Sequence, residues 1–365
     1  MYTKDFRGQK ISALGLGGLR FPTDKDNPNH IRREESRKIV DEAIACGINY
    51  FDTAYTYQNG DSEKFLGEAL AGYPRESFYF ATKYYASPGK KIETVFEEQL
   101  RRCGMEYFDF YLLHSLDENH IDDYMDPQKD YLGYLLKQKE RGRIRYLGFS
   151  SHAAPGTLKR FLDWYDGFDM ALIQLNYLDW TLLKAKEQYE ILTSRNIPVW
   201  VMEPLKGGRL CRLNQEAREI LKEAASERSM ESWGFRFLMG LPNVQTVLSG
   251  MASEEQVRDN AGIFARPDPL NRQETEALRK AEAAFVKDLG VPCSGCRYCC
   301  DTCPAGLDIP LLMQYYNEKN ISGEVWRLEG ISRGGNADQC LQCGTCLSHC
   351  PQKIDIPAVM KKLRG

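Results

Sequence analysis

The chain has 365 residues, with 48 Lys and Arg against 51 Asp and Glu, for a net charge of −3. Both signs are interspersed, so there is no basic footprint for nucleic acid, and no apolar run reaches the roughly 18 residues a membrane helix needs. The first ten residues carry no apolar stretch of the secretory kind, and 20 Tyr argue for a packed enzyme rather than a disordered chain.

In chain order, residues 2–6 and 10–14 flank Arg7-Gly8-Gln9 and predict a hairpin, expected to cap the bottom of a barrel. Eight short apolar runs follow, at 13–20, 48–53, 77–83, 108–114, 146–150, 170–176, 199–204 and 244–250. Amphipathic segments lie between and after them, at 33–46, 62–71, 92–103, 127–141, 155–165, 182–195, 215–227 and 253–260. Short apolar runs between helices read as parallel strands buried on both faces. Eight such units in about 250 residues is the size of a (β/α)8 barrel, with a doubly wound open sheet as the alternative. Residues 271–289 predict a helix leading to Pro292. The boundary is placed at 290, giving domains 1–290 and 291–365.

The last segment holds a pattern written twice. Cys293, Cys296, Cys299 and Cys303 precede Pro304, and Cys340, Cys343, Cys346 and Cys350 precede Pro351, each cysteine 47 residues after its counterpart. C-x2-C-x2-C-x3-C-P is the spacing of two-cluster [4Fe–4S] ferredoxins, in which the fourth cysteine ligates the other cluster. The expected sets are Cys293, Cys296, Cys299 with Cys350, and Cys340, Cys343, Cys346 with Cys303. A pair of zinc sites is the alternative, but zinc usually takes separated C-x2-C pairs, often with histidine. The repeat continues through C-P-A-G-L-D-I-P (303–310) and C-P-Q-K-I-D-I-P (350–357), each opening a helix with Asp and Pro. An amphipathic stretch at 311–327 resembles helical ferredoxin domains more than the small β-rich type. Cys300 is surplus, and Cys46, Cys103 and Cys211 read as packing residues. Reduced thiols fit the cytoplasm.

Barrel enzymes gather their chemistry at the C-terminal ends of the strands. The second run ends in Asp52, with Tyr57 in the loop beyond; the third ends in Lys83 and the fourth in His114. A carbonyl that accepts a hydride needs a proton. A phenol can give one once a nearby ammonium lowers its pKa from about 10. A carboxylate beside the lysine keeps it charged and in place, and a neutral imidazole can orient the carbonyl. Tyr57 is therefore assigned as general acid, Lys83 as its tuner, Asp52 as the lysine's partner and His114 as orienter or relay. Singly, each has a plainer role: a turn cap, a solvated strand end, a core histidine.

D-T-A-Y-T-Y (52–57), A-T-K (81–83) and L-L-H (112–114) resemble the tetrad of the aldo-keto reductases over roughly residues 1–270. The cysteine-rich extension resembles that of the family's iron–sulfur branch. The resemblance implies a (β/α)8 barrel followed by a small, mainly helical ferredoxin-like domain. It also implies an extended NADPH or NADH beside two [4Fe–4S] clusters, and reversible reduction of an aldehyde or ketone. It places Ser150 and Gln174 at the nicotinamide carboxamide, with Asn176 on the same face. Met202 stands where many relatives stack an aromatic. Pro204, Leu205 and Gly207 belong to M-E-P-L-K-G-G (202–208), which covers the pyrophosphate. Gly17 and Gly18 are read as close backbone approach to the nicotinamide, or as a simple turn. Where relatives often have Asn after the serine, this chain has Ser151 and then His152. At the adenosine end Asn260 is kept, while Gly250 and Gln256 replace the lysine and arginine that hold a 2′-phosphate in NADP-preferring members. Arg258 is the candidate substitute. Both cofactors stay open, with family usage on the side of NADPH.

Tyr55, Tyr84, Tyr85 and Trp180 are candidate pocket residues. A hydride carries two electrons and a cubane cluster one, and no flavin motif joins them. The clusters are thus structural or exchange electrons with an external redox protein. The alternative is an electron-transfer or redox-sensing protein that uses the barrel as a nicotinamide-binding platform. The expected partners are a small carbonyl substrate and a redox protein, with no nucleic acid and no membrane.

Overall fold

The computed structural model describes residues 1–365 apart from 28, 87–89, 119, 288, 289, 292, 294–298, 301, 323–335, 351–353 and 365. It forms two compact units, one of residues 1–180, 184–207 and 231–270, the other of 181–183, 208–230 and 271–365.

The first unit opens with an antiparallel hairpin of β1 (Thr3–Phe6) and β2 (Gln9–Ser12). Eight parallel strands then close into a barrel: β3 (Leu14–Gly17), β4 (Tyr50–Asp52), β5 (Tyr79–Tyr84), β6 (Phe108–Leu116), β7 (Ile144–Ser151), β8 (Met170–Gln174), β9 (Val199–Met202) and β10 (Val244–Ser249). Each strand pairs with the next in sequence, and β10 returns to β3 with Leu248 opposite Gly15. All eight expected runs are strands, most of them trimmed at an end. The first is cut at Gly17 because Gly18–Arg20 turns into a 3-10 helix.

The strands alternate inside and out, yet both faces are apolar. Tyr50, Ala81, Phe110, Leu112, Met170, Leu172, Trp200 and Leu248 fill the barrel, and Phe6 and Ile11 of the hairpin close its bottom against them. Phe51, Phe80, Tyr111, Leu113, Ala171, Ile173, Val199, Val201 and Val247 face the surrounding helices. This period of two, hidden in continuous apolar runs, is the signature of a sheet buried on both sides. Large inward residues require small partners: a Cβ on Gly15 would lie 2.7 Å from Leu248 and 3.1 Å from Tyr50.

Several helices differ from expectation. The one expected at 127–141 begins only at Tyr131, where Asp130 caps it by accepting from the Gly133 N–H. Helices Ile121–Met125 and Met230–Met239 were not anticipated. The second carries Gly234 and three aromatics, a poor helix former by propensity; a Cβ on Gly234 would meet Leu205 at 2.7 Å.

In the second unit, helix Arg272–Lys287 packs on helix Gln215–Ala224, with Asn214 Nδ2 donating to the Ala284 carbonyl at 3.2 Å. Leu307, with Ile309, Leu312 and Met313 of helix Ile309–Ser322 and Ile356, Val359 and Met360 of helix Ile356–Leu363, forms a small core beside the cysteines. The amphipathic stretch expected at 311–327 runs as helix to Ser322; residues 323–327 lie outside the described residues. No described helix is long and apolar enough to cross a membrane.

Candidate active site

The ends of β4, β5 and β6 bring Asp52, Tyr57, Lys83 and His114 together. Lys83 Nζ donates to Asp52 Oδ1 at 2.5 Å and to the Thr53 carbonyl at 2.6 Å. Both side chains are buried. The same Nζ lies 4.9 Å from the centre of the Tyr57 ring, and that ring stands edge-on to His114 at 5.8 Å. Tyr57 is presented by a 3-10 turn in which Gln58 and Asn59 hold left-handed φ values of 44° and 53°.

The electrostatics sort these groups. Burial drives the His114 pKa well below the usual imidazole value, helped by Lys83 and by His152 and His120. The ring is neutral near pH 7. Burial works against the Lys83 ammonium, but Asp52 and Tyr57 outweigh it and the lysine stays charged. Tyr57 is raised above the ordinary phenol value: burial dominates, Lys83 pulls the other way, and Asp52 and Glu203 add to the rise. Lys83 therefore moderates the phenol pKa without bringing it below the ordinary value, and Tyr57 remains protonated.

Behind the lysine lies a buried network that the sequence did not reveal. Glu63 is buried and accepts from Thr82 Oγ1 at 2.7 Å, Gln99 Nε2 at 2.6 Å and Arg102 Nη1 at 3.1 Å. Gln99 also donates to the Lys83 carbonyl, and Arg102 to the Tyr55 carbonyl two residues before Tyr57. The network thus grips the segments that carry Lys83 and Tyr57.

The four pocket candidates separate. Tyr84 is buried against Tyr131 at 5.0 Å, on the outer face of β5. Tyr55 turns outward to Glu98, Lys90 and Arg102. Trp180 packs on Tyr189 and Phe237. These three pack away from the tetrad; Tyr85 alone of the four meets His114, edge-on at 5.9 Å.

The residues assigned to the nicotinamide sit at the same rim. Gly17 ends β3 and Gly18 opens the 3-10 turn after it, where a Cβ would lie 2.7 Å from Ser62 Oγ and 3.0 Å from the Asp52 carbonyl. Ser150 Oγ accepts from the Ser115 N–H at 2.8 Å. Gln174 donates to Asp179 at 2.8 Å, as does Asn176 at 2.7 Å. Lys206 completes this cluster at 2.7 Å from Asp179. Asp179 is a buried acid that Y-L-D-W did not flag in the sequence. Met202 ends β9, and the loop through Pro204, Leu205 and Gly207 has left-handed φ at Glu203, Lys206 and Gly207. The Lys206 N–H donates to the Glu203 carbonyl at 3.0 Å and the Gly207 N–H to the Glu203 carboxylate, so this turn is folded back on Glu203. Glu203, also missed, lies 3.9 Å from Arg20.

At the far end, a Cβ on Gly250 would strike the Arg20 side chain at 2.4 Å. Gln256 Oε1 accepts from the Ala252 N–H, and Asn260 donates to Ser249 Oγ. Arg258 lies two residues round the helix Glu254–Ile263 and pairs with Glu42 at 3.1 Å. The structure commits its guanidinium there, away from the face of Gln256 and Asn260.

In the second unit, Cys303 lines one cavity with Cys340, Cys343 and Cys346. This is one of the two expected crosswise sets. Burial raises the Cys346 thiol to about 11, with Cys340, Cys343 and Cys303 adding to the rise. No three His, Cys, Asp or Glu among the described residues converge on one ion; a cubane asks for a wider spacing, since each thiolate binds its own iron. Of the other set, Cys293, Cys299 and Cys350 are described and Cys296 is outside the described residues. No cysteine in the described residues is in a disulfide.

Residues 13–283 match the aldo/keto reductase family and residues 292–354 a 4Fe-4S dicluster domain. The chain belongs to the aldo/keto reductase family and carries a two-cluster domain C-terminal to it in sequence; it is an oxidoreductase. Among its relatives is a Bacillus subtilis protein named uncharacterized oxidoreductase YqkF, 27% identical, covering 74% of this chain and 92% of the relative. Another is the NADH-specific methylglyoxal reductase of Escherichia coli, 24% identical over 75% of this chain and 95% of its own. The solved aldo-keto reductase AKR11C1 from Bacillus halodurans, in its holo form, is 26% identical with a TM-score of 0.63, covering 77% and 96% of the two chains.

Proposed function

We propose that the protein reduces an aldehyde or ketone to an alcohol with NADPH or NADH. The observation that carries this reading is Lys83 bridging Asp52 and the Tyr57 ring beside a neutral His114. Two buried polar atoms there, Asp52 Oδ2 and His114 Nδ1, have no hydrogen-bond partner among the described residues, which suits a site completed by a ligand. A reduced nicotinamide bound at this rim supplies the hydride. Tyr57 gives the proton as charge develops on the carbonyl oxygen, Lys83 stabilises the phenolate left behind, and His114 holds the oxygen in place. Ser150, Gln174 and Met202 are assigned to the nicotinamide end; Gly17, Gly18, Pro204, Leu205 and Gly207 to backbone approach; and Gly250, Gln256 and Asn260 to the adenosine end. With Gly250 and Gln256 uncharged and Arg258 paired to Glu42, nothing at these positions selects for a 2′-phosphate. NADH use is correspondingly favoured over the family habit. The name of the Escherichia coli relative supports both the reaction and that cofactor.

We place the domain boundary at residues 290–291, between the two family matches. The clusters serve structure or electron exchange with a partner protein. The cysteine-lined cavity also supports a second reading, an electron-transfer or redox-sensing protein with the barrel as its nicotinamide platform. The deciding experiment is anaerobic purification followed by assays of NADH- and NADPH-dependent reduction across an aldehyde panel, for wild type and Tyr57→Phe. Turnover that collapses in the variant is expected. No turnover in the wild type, or full turnover in the variant, sinks the reductase reading.

A further inference from the structure

A second hydrogen-bonded chain lies beside the tetrad. Asp117 Oδ1 stands 2.7 Å from His120 Nδ1 and also accepts the His120 backbone N–H at 2.9 Å. His120 Nε2 stands 2.9 Å from the Tyr85 hydroxyl. Tyr85 packs edge-on against His114 at 5.9 Å, and Tyr57 does the same at 5.8 Å. One neutral imidazole is thus flanked by two phenols, each backed by its own carboxylate: Tyr57 through Lys83, Tyr85 through His120.

The two chains differ in what they leave at the phenol oxygen. A carboxylate can only accept, so on a neutral His120 ring Asp117 fixes the proton on Nδ1. Nε2 then carries a lone pair, and the Tyr85 hydroxyl must donate to it. The Tyr85 oxygen is left as an acceptor, next to the imidazole that orients the carbonyl. An apolar aldehyde gives it nothing, whereas a substrate hydroxyl close to the carbonyl would donate to it. A polar group of fixed sense at a binding surface discriminates more sharply than an apolar wall of the same shape.

We infer that the Asp117–His120–Tyr85 chain is a specificity element that selects hydroxycarbonyl substrates, small hydroxyaldehydes or hydroxyketones of the sugar type, over apolar carbonyls of the same size. The inference rests on the reductase reading above. It assigns His120 and Asp117 as positioning residues acting through Tyr85, and gives none of the three a part in hydride or proton transfer.

The test is the ratio of kcat/KM for glyceraldehyde to that for butanal, measured with the full chain. The wild type is expected to prefer glyceraldehyde. Tyr85→Phe removes only the oxygen and should lower the ratio about fivefold to tenfold, the weight of one hydrogen bond, through KM more than kcat. Asp117→Ala removes the acceptor that holds the proton on Nδ1, which frees His120 to carry it on Nε2 and turn the Tyr85 hydroxyl around. It should lower the ratio in the same sense by a smaller factor, and it serves should Tyr85→Phe fail to fold. An unchanged ratio in both variants, with a wild type that reduces both aldehydes, overturns the inference and leaves the reductase reading standing. A wild type that reduces neither aldehyde, nor any other carbonyl, overturns both.

Discussion

The two ends of the barrel each bury a carboxylate, and they treat it differently. At the bottom, Asp109 is buried and fully engaged: it accepts from Arg75 at 2.6 Å, Arg145 at 2.8 Å and the Phe80 N–H at 2.9 Å. Asp169 nearby is held by Arg7, Lys139 and the Leu147 N–H. At the top, Asp52 has one partner side chain, Lys83, and its second oxygen has none among the described residues. The carboxylates at the bottom are met on both oxygens; at the top Asp52 Oδ2 and His114 Nδ1 have no partner among the described residues, in the manner of a site completed by a ligand.

The sharpest break of this comparison is at the top. Replacing the ion pair with Asp52→Asn and Lys83→Met together removes both buried charges and leaves no uncompensated ion. Carbonyl reduction should fall by about 10³-fold, within the span of general-acid catalysis. Stability should hold, or rise by about 1 kcal/mol, because buried ion pairs repay their desolvation poorly. Steady-state kinetics and a thermal melt decide it. A double variant that melts well below the wild type would mean that the upper pair, like the lower, is there for the fold.

The converse holds at the bottom. Asp109→Ala strands Arg75 and Arg145 and uncaps the Phe80 N–H, and should cost about 3 kcal/mol. Activity per folded molecule should stay within about twofold, since the site lies at the opposite end of the strands. Urea titration with activity read on the folded fraction separates the two.

The second unit offers its own contrast. Cys303→Ser should remove about four of about eight irons, and the loss should fall on the cluster of Cys340, Cys343 and Cys346, whose cavity it lines. Iron and sulfide analysis with electron paramagnetic resonance of the reduced protein reports which cluster survives. Loss of the cluster of Cys293 and Cys299 alone would refute crosswise ligation.

What the sequence made legible follows from what each element needs. The eight strands were legible because burial on both faces leaves short continuous apolar runs. The tetrad was legible because its members end those runs. Helix Met230–Met239 was not, because its Gly234 and aromatics answer to packing against Leu205 rather than to propensity. Glu63, Asp179 and the Asp117–His120 pair were hidden for a related reason: their partners are distant in sequence or sit in loops without periodicity. Arg258 misled by proximity, since two residues along a helix is the far side of it, and there Glu42 waits.

The smallest expected effect probes the top through pH. Burial and Lys83 hold the His114 pKa well below its unfolded value near 6.5. As pH falls through 6.5 the unfolded chain binds a proton that the folded imidazole refuses, so stability drops on the acid side and is intact above it. At pH 5.5 this should cost about 1.4 kcal/mol relative to pH 8 for this one group. His152 is also lowered by burial and adds to the slope, so the informative quantity is the difference between wild type and His114→Asn, which cancels the shared contribution. Denaturant titrations at both pH values should show the acid loss reduced by that amount in the variant. Equal losses would mean that His114 is protonated in the folded protein, and the neutral orienter assigned beside Tyr57 would have to be given up.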